Sequence, residues 1–139
     1  MEYATNCRVI RVSQTYRGKQ GFDYTEALSK ESVGSQGICM HLLTIAPGQR
    51  AKTHLHQEHE TAIYILKGKS SMWYGEGLEQ HMEVGEGDFL YIPAGVPHLP
   101  YNPSESEACT ALIARTDPNE QESVLLLPEL DALWEKKQS

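Results

Sequence analysis

No stretch of the 139 residues approaches the roughly 18 apolar residues of a membrane span. Residues Met1 to Arg8 do not form a basic segment followed by an apolar one, so no secretory leader is expected. The expectation is a soluble, cytoplasmic protein. Basic clusters are also missing, since Lys136-Lys137 is the one adjacent pair, and 19 Asp and Glu against 12 Lys and Arg give a formal charge of −7. Binding a phosphate backbone requires clustered cations that release counterions, so no nucleic-acid partner is expected, nor a membrane one. The three cysteines, Cys7, Cys39 and Cys109, form no CxxC and read as ordinary thiols in a reducing compartment. HExxH, G-x-S-x-G, a P-loop and a helix-opening G-x-G-x-x-G are all lacking.

The length fits one compact domain, residues 1–139, able to bury about two thirds of its unfolded surface. Such a core needs no disulfide or metal, so a metal here would serve chemistry. Glycine and proline are not abundant, but they punctuate short apolar runs: 38–46 before Pro47-Gly48, 61–66 before Gly68, 71–74 before Gly75, 78–84 before Gly85, 89–92 before Pro93, and 108–114 before Pro118. Short strands at this spacing predict an all-β sandwich or barrel, with a core over about residues 36–116. Gly75–Gly77 and Gly85–Gly87 read as hairpin turns. Residues 1–35 and 117–139 are expected to pack outside it, with a short helix over Tyr24–Lys30. Asp117-Pro118 signals a further helix start, and a C-terminal helix begins at Pro128 with Leu130, Leu133 and Trp134 on one face. The run Ala62–Leu66 is apolar at every position, which a strand tolerates when both faces are covered. Either the protein's own chain or the partner subunit of a homodimer satisfies that requirement.

Histidine carries the chemistry. Three of the six stand in His54-Leu55-His56-Gln57-Glu58-His59-Glu60. In a strand His54 and His56 project from one face, and Glu60 can close a third corner. Two imidazoles and a carboxylate with open positions suit Fe, Mn, Ni, Zn or Co as divalent ions. His81 alternates with Glu79 and Glu83 on a wet face. His41 shares a strand face with Cys39 and Leu43, as a core histidine or as one acting beside a metal.

Downstream, Gly87 to Asn102 reads G-x5-P-x-G-x2-H-x3-N, five fixed residues that chance would supply with a probability of roughly 10⁻⁴ or below. With Gly48, His54, His56 and Glu60 upstream, the chain resembles the cupin superfamily over Gly48–Asn102, about 40% of its length. The resemblance implies a double-stranded β-helix, or jelly roll, and one divalent transition metal held by His54, His56, Glu60 and His98. One spacing departs from the family pattern: seven residues rather than six separate Glu60 from Gly68, and counting back from Gly68 puts Thr61 at the carboxylate's place. A one-residue bulge would reconcile the two, and Glu58 or His59 could substitute as ligand. His41, His59, Tyr64 and Tyr91 are the candidates for moving protons or orienting a substrate. Similar ligands serve isomerases and dioxygenases, so the expected function is a metal-dependent enzyme acting on a small polar metabolite, of sugar-phosphate isomerase or iron dioxygenase type. Arg50 and Lys52 are the cations available at the barrel mouth for a phosphate. The alternative is a non-catalytic module binding metal or a small ligand.

Overall fold

The computed structural model describes residues 6–11, 15–17, 21–119 and 124–138. The elements are β1 (Thr15–Arg17), β2 (Asp23–Leu28), α1 (Lys30–Val33), β3 (Cys39–Ile45), β4 (His54–His56), β5 (Thr61–Lys67), β6 (Lys69–Tyr74), β7 (Gln80–Gly85), β8 (Phe89–Ile92), β9 (His98–Tyr101), β10 (Cys109–Arg115), β11 (Val124–Leu126) and α2 (Pro128–Gln138). They form two antiparallel sheets, β1-β2-β3-β10-β5-β8 and β11-β4-β9-β6-β7. From β3 to β6 and again from β7 to β10 each strand crosses to the other sheet, which is how a double-stranded β-helix is wound. Among the described residues no helix is long and apolar enough to cross a membrane.

Alternation decides which residues meet between the sheets. In β3 and β10 the odd-numbered positions are buried, so Leu43, Ile45, Cys109, Ala111 and Ile113 enter one core with Ile65 and Val84. Cys39 and Cys109 are buried and Cys7 is exposed, and among the described residues none of them forms a disulfide.

Four local expectations are corrected. The helix expected over Tyr24–Lys30 is the strand β2, which pairs with β3 and buries Phe22 and Tyr24 in the core. Helix comes only at Lys30–Val33, capped by Ser29. This N-terminal segment therefore supplies core as well as covering. Residues 117–119 are not helical, because the Asp117 carboxylate accepts from the Asn119 backbone N–H at 2.9 Å and holds a turn; 120–123 lie outside the described residues. Gly75–Gly77 does close the β6–β7 hairpin, but Gly85–Gly87 carries the chain from one sheet to the other, with the Gly85 N–H donating to Asp88 Oδ2 at 2.7 Å. Helix α2 begins at Pro128 as expected, yet it has no buried residue. Polar contacts attach it: Asp131 Oδ1 accepts from the N–H and hydroxyl of Thr53 at 2.9 and 2.7 Å and pairs with Arg50 at 3.1 Å.

Two motif residues are architectural. Asn102 is buried, donates to the carbonyls of Ile45 and Glu107, and accepts from the Ser104 N–H, so it stitches β3 to the loop before β10. Gly68 turns the chain from β5 to β6 at φ +78°, and a Cβ there would lie 2.6 Å from the Ala108 carbonyl oxygen. Gly87, at φ +87°, has open space around it. Gly68→Ala is therefore expected to cost about 2–4 kcal/mol of stability through collision plus backbone strain, and Gly87→Ala about 1–2 kcal/mol through strain alone. Urea unfolding of the two variants measures the difference, and equal losses would contradict the close approach.

Candidate metal centre

Among the described residues one cluster can hold a metal ion: His54, His56 and His98, whose ligand atoms all lie within 4.8 Å of one another. His54 and His56 are the inward positions of β4, and His98, the first residue of β9, pairs directly with His54. Tight local geometry brings them together. The Gly95 N–H in the Pro93–Pro97 turn donates to the His56 carbonyl at 2.7 Å, which docks the turn on β4 and delivers His98 opposite His54. On the other edge β11 pairs with β4, Val124 facing His56 and Leu126 facing His54.

All three rings are nearly inaccessible to solvent. Burial holds His54 well below 6.5, aided by repulsion from His98 and His56. Burial pushes His98 down to about 4, and burial together with the Arg115 charge pushes His56 down to about 2. The rings are thus neutral at pH 7, the state in which imidazole binds a metal. Two tautomers are also set. Nδ1 of His54 lies 2.7 Å from the Lys52 carbonyl and Nδ1 of His98 lies 2.9 Å from the Val96 carbonyl. A carbonyl only accepts, so each Nδ1 carries the proton and each Nε2 keeps its lone pair for an ion. Metal–nitrogen bonds of about 2.1 Å place tetrahedral or octahedral donors about 3–3.4 Å apart, so the three rings fit one ion after closing by less than about 2 Å.

The structure does not bring Glu60 to this cluster. Its side chain is exposed and accepts a 2.6 Å hydrogen bond from the Tyr91 hydroxyl on the outside of the first sheet. The reason is register. A bulge is present in β5, but at the Gly68 end: Ala111 faces Ile65 while Thr110 faces Lys67, leaving Leu66 extra. Upstream, Thr61, Ile63 and Ile65 face inward, so Glu60, Ala62 and Tyr64 face outward. Tyr64 packs tilted against Phe89, ring centroids 4.6 Å apart, and Tyr91 is 58% exposed, with the hydrogen bond to the Glu60 carboxylate pushing its phenol pKa up. Neither tyrosine lies in the barrel. Glu58 is exposed as well, and His81 is exposed as expected, bonded to the Tyr101 hydroxyl at 2.8 Å. His59 stands beside the cluster with Nδ1 3.5 Å from Asp117 Oδ2, and His41 is wholly buried on the inward face of β3.

Of two further inward residues, Thr61 was marked in the sequence only as the place counted back from Gly68, and Arg115 was missed. Thr61, 2% exposed, occupies the inward place, and Arg115 opposite it on β10 is 5% exposed and donates from Nε to Thr61 Oγ1 at 3.3 Å. The signal for Arg115 was its parity with Cys109, Ala111 and Ile113. His54, His98, Thr61 and Arg115 border an internal cavity of about 40 Å³ whose other walls are largely apolar.

In the metal-free protein these histidines tie stability to pH. Below 6.5 the unfolded chain takes up protons that the folded site refuses. Stability is therefore lost as pH falls from 6.5 towards about 4 for His98 and about 2 for His56. Each group contributes up to about 1.4 kcal/mol per pH unit in that window. Urea unfolding of chelator-treated protein at pH 7.5 and 5.5 is expected to show the loss; an unchanged free energy would contradict neutral buried rings.

A family model described as "Cupin domain" matches residues 41–114. Auxin-binding protein 4 of Zea mays is 28% identical over 116 residues, covering 79% of this chain and 56% of its own length. Quercetin 2,3-dioxygenase of Bacillus subtilis is 37% identical over 51 residues, covering 37% of this chain and 14% of its own. A solved structure of a Bacillus subtilis oxalate decarboxylase variant superposes with a TM-score of 0.69 at 21% identity, over 83% of this chain and 30% of that one, which is a likeness of fold. This chain spans less than two thirds of each of these proteins.

Proposed function

The chain belongs to the cupin family, and on that premise we propose that it is a metal-dependent enzyme acting on a small polar metabolite, of dioxygenase rather than sugar-phosphate isomerase type. The observation carrying this reading is the cluster of three buried, neutral imidazoles, two of which, His54 and His98, border an internal cavity of about 40 Å³. His54, His56 and His98 would hold the ion. A redox-active divalent ion there supplies Lewis acidity and electron transfer. The chain's contribution is to pin the imidazoles through the Lys52 and Val96 carbonyls and to exclude bulk water with apolar walls. The likeness to a quercetin dioxygenase supports the same reading.

A sugar phosphate fits poorly. The walls of the cavity are largely apolar and offer few partners to the hydroxyls of such a substrate. Arg50 is already engaged by Asp131 at 3.1 Å and Glu135 at 2.6 Å, and its guanidinium sits 4.8 Å from the Trp134 ring. A second reading, a non-catalytic module binding metal or a small ligand, is favoured by the outward placement of Tyr64 and Tyr91 and by the likeness to a protein named for binding.

Protein purified without a chelating tag is expected to carry close to one divalent transition metal per chain, and His54→Ala or His98→Ala to remove most of it. Full occupancy in both variants overturns the site. Metal identification under anaerobic conditions followed by oxygen-uptake assays against catechols, thiols and dicarbonyl compounds separates the readings: iron with substrate-dependent uptake supports the enzyme, zinc without uptake the module.

The quaternary structure proposed with this function is a homodimer. The outer face of the first sheet carries Phe89 at 83% and Leu66 at 43% exposure, beside a groove of about 300 Å³ bordered by Met40, Tyr64 and Leu112. Exposed apolar area of this kind suits a self-complementary contact. Sedimentation is expected to show a dimer that Phe89→Asp converts to monomer; a monomeric wild type at micromolar concentration refutes it.

A further inference from the structure

We propose that the barrel takes a small organic carboxylate, anchored by the guanidinium of Arg115 with its second oxygen on the metal. The inference rests on the metal centre proposed above and names the ligand class for it. Arg115 is a charged group placed where the fold otherwise puts core. It is 5% exposed, on the inward face of β10, and among the described residues it donates from Nε to the neutral Thr61 hydroxyl. Its Nη1 is buried and meets no hydrogen-bond partner among the described residues. It borders the same cavity as His54 and His98.

Nearby carboxylates are engaged elsewhere. Glu60 is bonded to Tyr91 outside the barrel, and Asp117, though buried, accepts from the Asn119 N–H at 2.9 Å and faces His59 at 3.5 Å. Loading a divalent ion on three neutral imidazoles would add two positive charges to that of Arg115, three in one dry site with no anionic donor in the His54–His56–His98 cluster. Buried charge of one sign calls for a partner of the other, and here the ligand must bring it. A carboxylate suits both partners. It has two coplanar oxygens, so one can accept from a guanidinium N–H while the other reaches the ion. The remaining walls, among them Ile63, Met72, Val84 and Ile113, are apolar and close, so the rest of the molecule is short and carries little polarity near the site.

The test compares acetate with its neutral isostere acetamide, and with inorganic phosphate, on metal-loaded protein whose metal content has been measured first. Calorimetry gives the affinities, and cobalt-substituted protein reports ligation through its visible spectrum, with no turnover required. Acetate is expected to bind at least 10-fold more tightly than acetamide. Arg115→Met is expected to weaken acetate 10- to 100-fold while leaving acetamide binding and metal content unchanged, and Arg115→Lys to recover part of the loss. Methionine in place of a buried cation removes a desolvation cost, so this variant is expected to fold. Equal binding of acetate and acetamide to the wild type overturns the proposal even if no variant folds. So does undiminished acetate binding by metal-loaded Arg115→Met, or tighter binding of phosphate than of acetate. If the wild type takes up no metal, the proposed function fails on that measurement alone. The acetate and acetamide comparison on the same metal-free protein then decides Arg115 separately: a charge preference lost in Arg115→Met keeps the anchor, and no preference removes it.

Discussion

The site depends on one close approach, that of Gly68 to the Ala108 backbone. With no room for a Cβ and φ at +78°, the turn from β5 to β6 has one position against the start of β10. From that fixed point the pairing of β5 with β10 runs in a single register once the bulge at Leu66 has been passed. Parity then decides everything upstream: Thr61 opposite Arg115 faces the cavity, and Glu60 faces solvent. A carboxylate would have neutralised part of a bound ion's charge. A threonine cannot, and it leaves Arg115 with a neutral partner on Nε. Backbone sterics at one end of a strand thus set the charge of the chamber at the other.

The histidines are governed by a second constraint, the supply of backbone acceptors. His54 and His98 each present Nδ1 to the carbonyl two residues earlier, so each strand entry orients its own imidazole. Strand β4 is three residues long and would be a frayed edge by itself. It is held by β9 and by β11, and at its start by Asp131, which takes both the Thr53 N–H and its hydroxyl. The C-terminal segment is for this reason part of the site's rigidity although it contributes no ligand. Its helix is fastened by two carboxylates, Asp131 and Glu135, and the guanidinium of Arg50, while its apolar side chains stay partly exposed.

What could be read from sequence follows this physics. Turn residues mark chain reversals locally, so the strand-bearing runs and an all-β sandwich or barrel were legible, as were His54, His56 and His98 from their motifs; the jelly roll itself came as what the cupin resemblance implies. Register is not local. Glu60 and Tyr64 share one parity in any strand, but its direction depends on where the bulge sits, and that is settled by Ala108, forty residues after Gly68. The seven-residue gap to Gly68 was the visible trace of that shift. Strand β2 was mistaken for helix because half-buried Asp23–Leu28 mixes polar and apolar residues at a spacing that fits either period, and only pairing with β3 decides. In α2 the apolar stripe was legible but its docking was not, since a buried-looking pattern says nothing of a carboxylate that outcompetes it for contact.

Net charge illustrates the same separation of scales. The sequence total of −7 describes the exterior, where carboxylates such as Glu60 are solvated, and it fits solubility. It does not describe the interior, because at physiological salt exposed charges are screened beyond about 8 Å while buried ones are not. Inside the barrel the local balance has the opposite sign: neutral imidazoles, a neutral threonine and the guanidinium of Arg115. An anion therefore approaches a repelling surface and binds in an attracting chamber. The total charge slows its arrival, and Arg115 with the ion governs how firmly it is held. A chain whose composition argues against anionic polymers can for this reason still be built around a small anion. The distinction rests on a single arginine at an inward strand position.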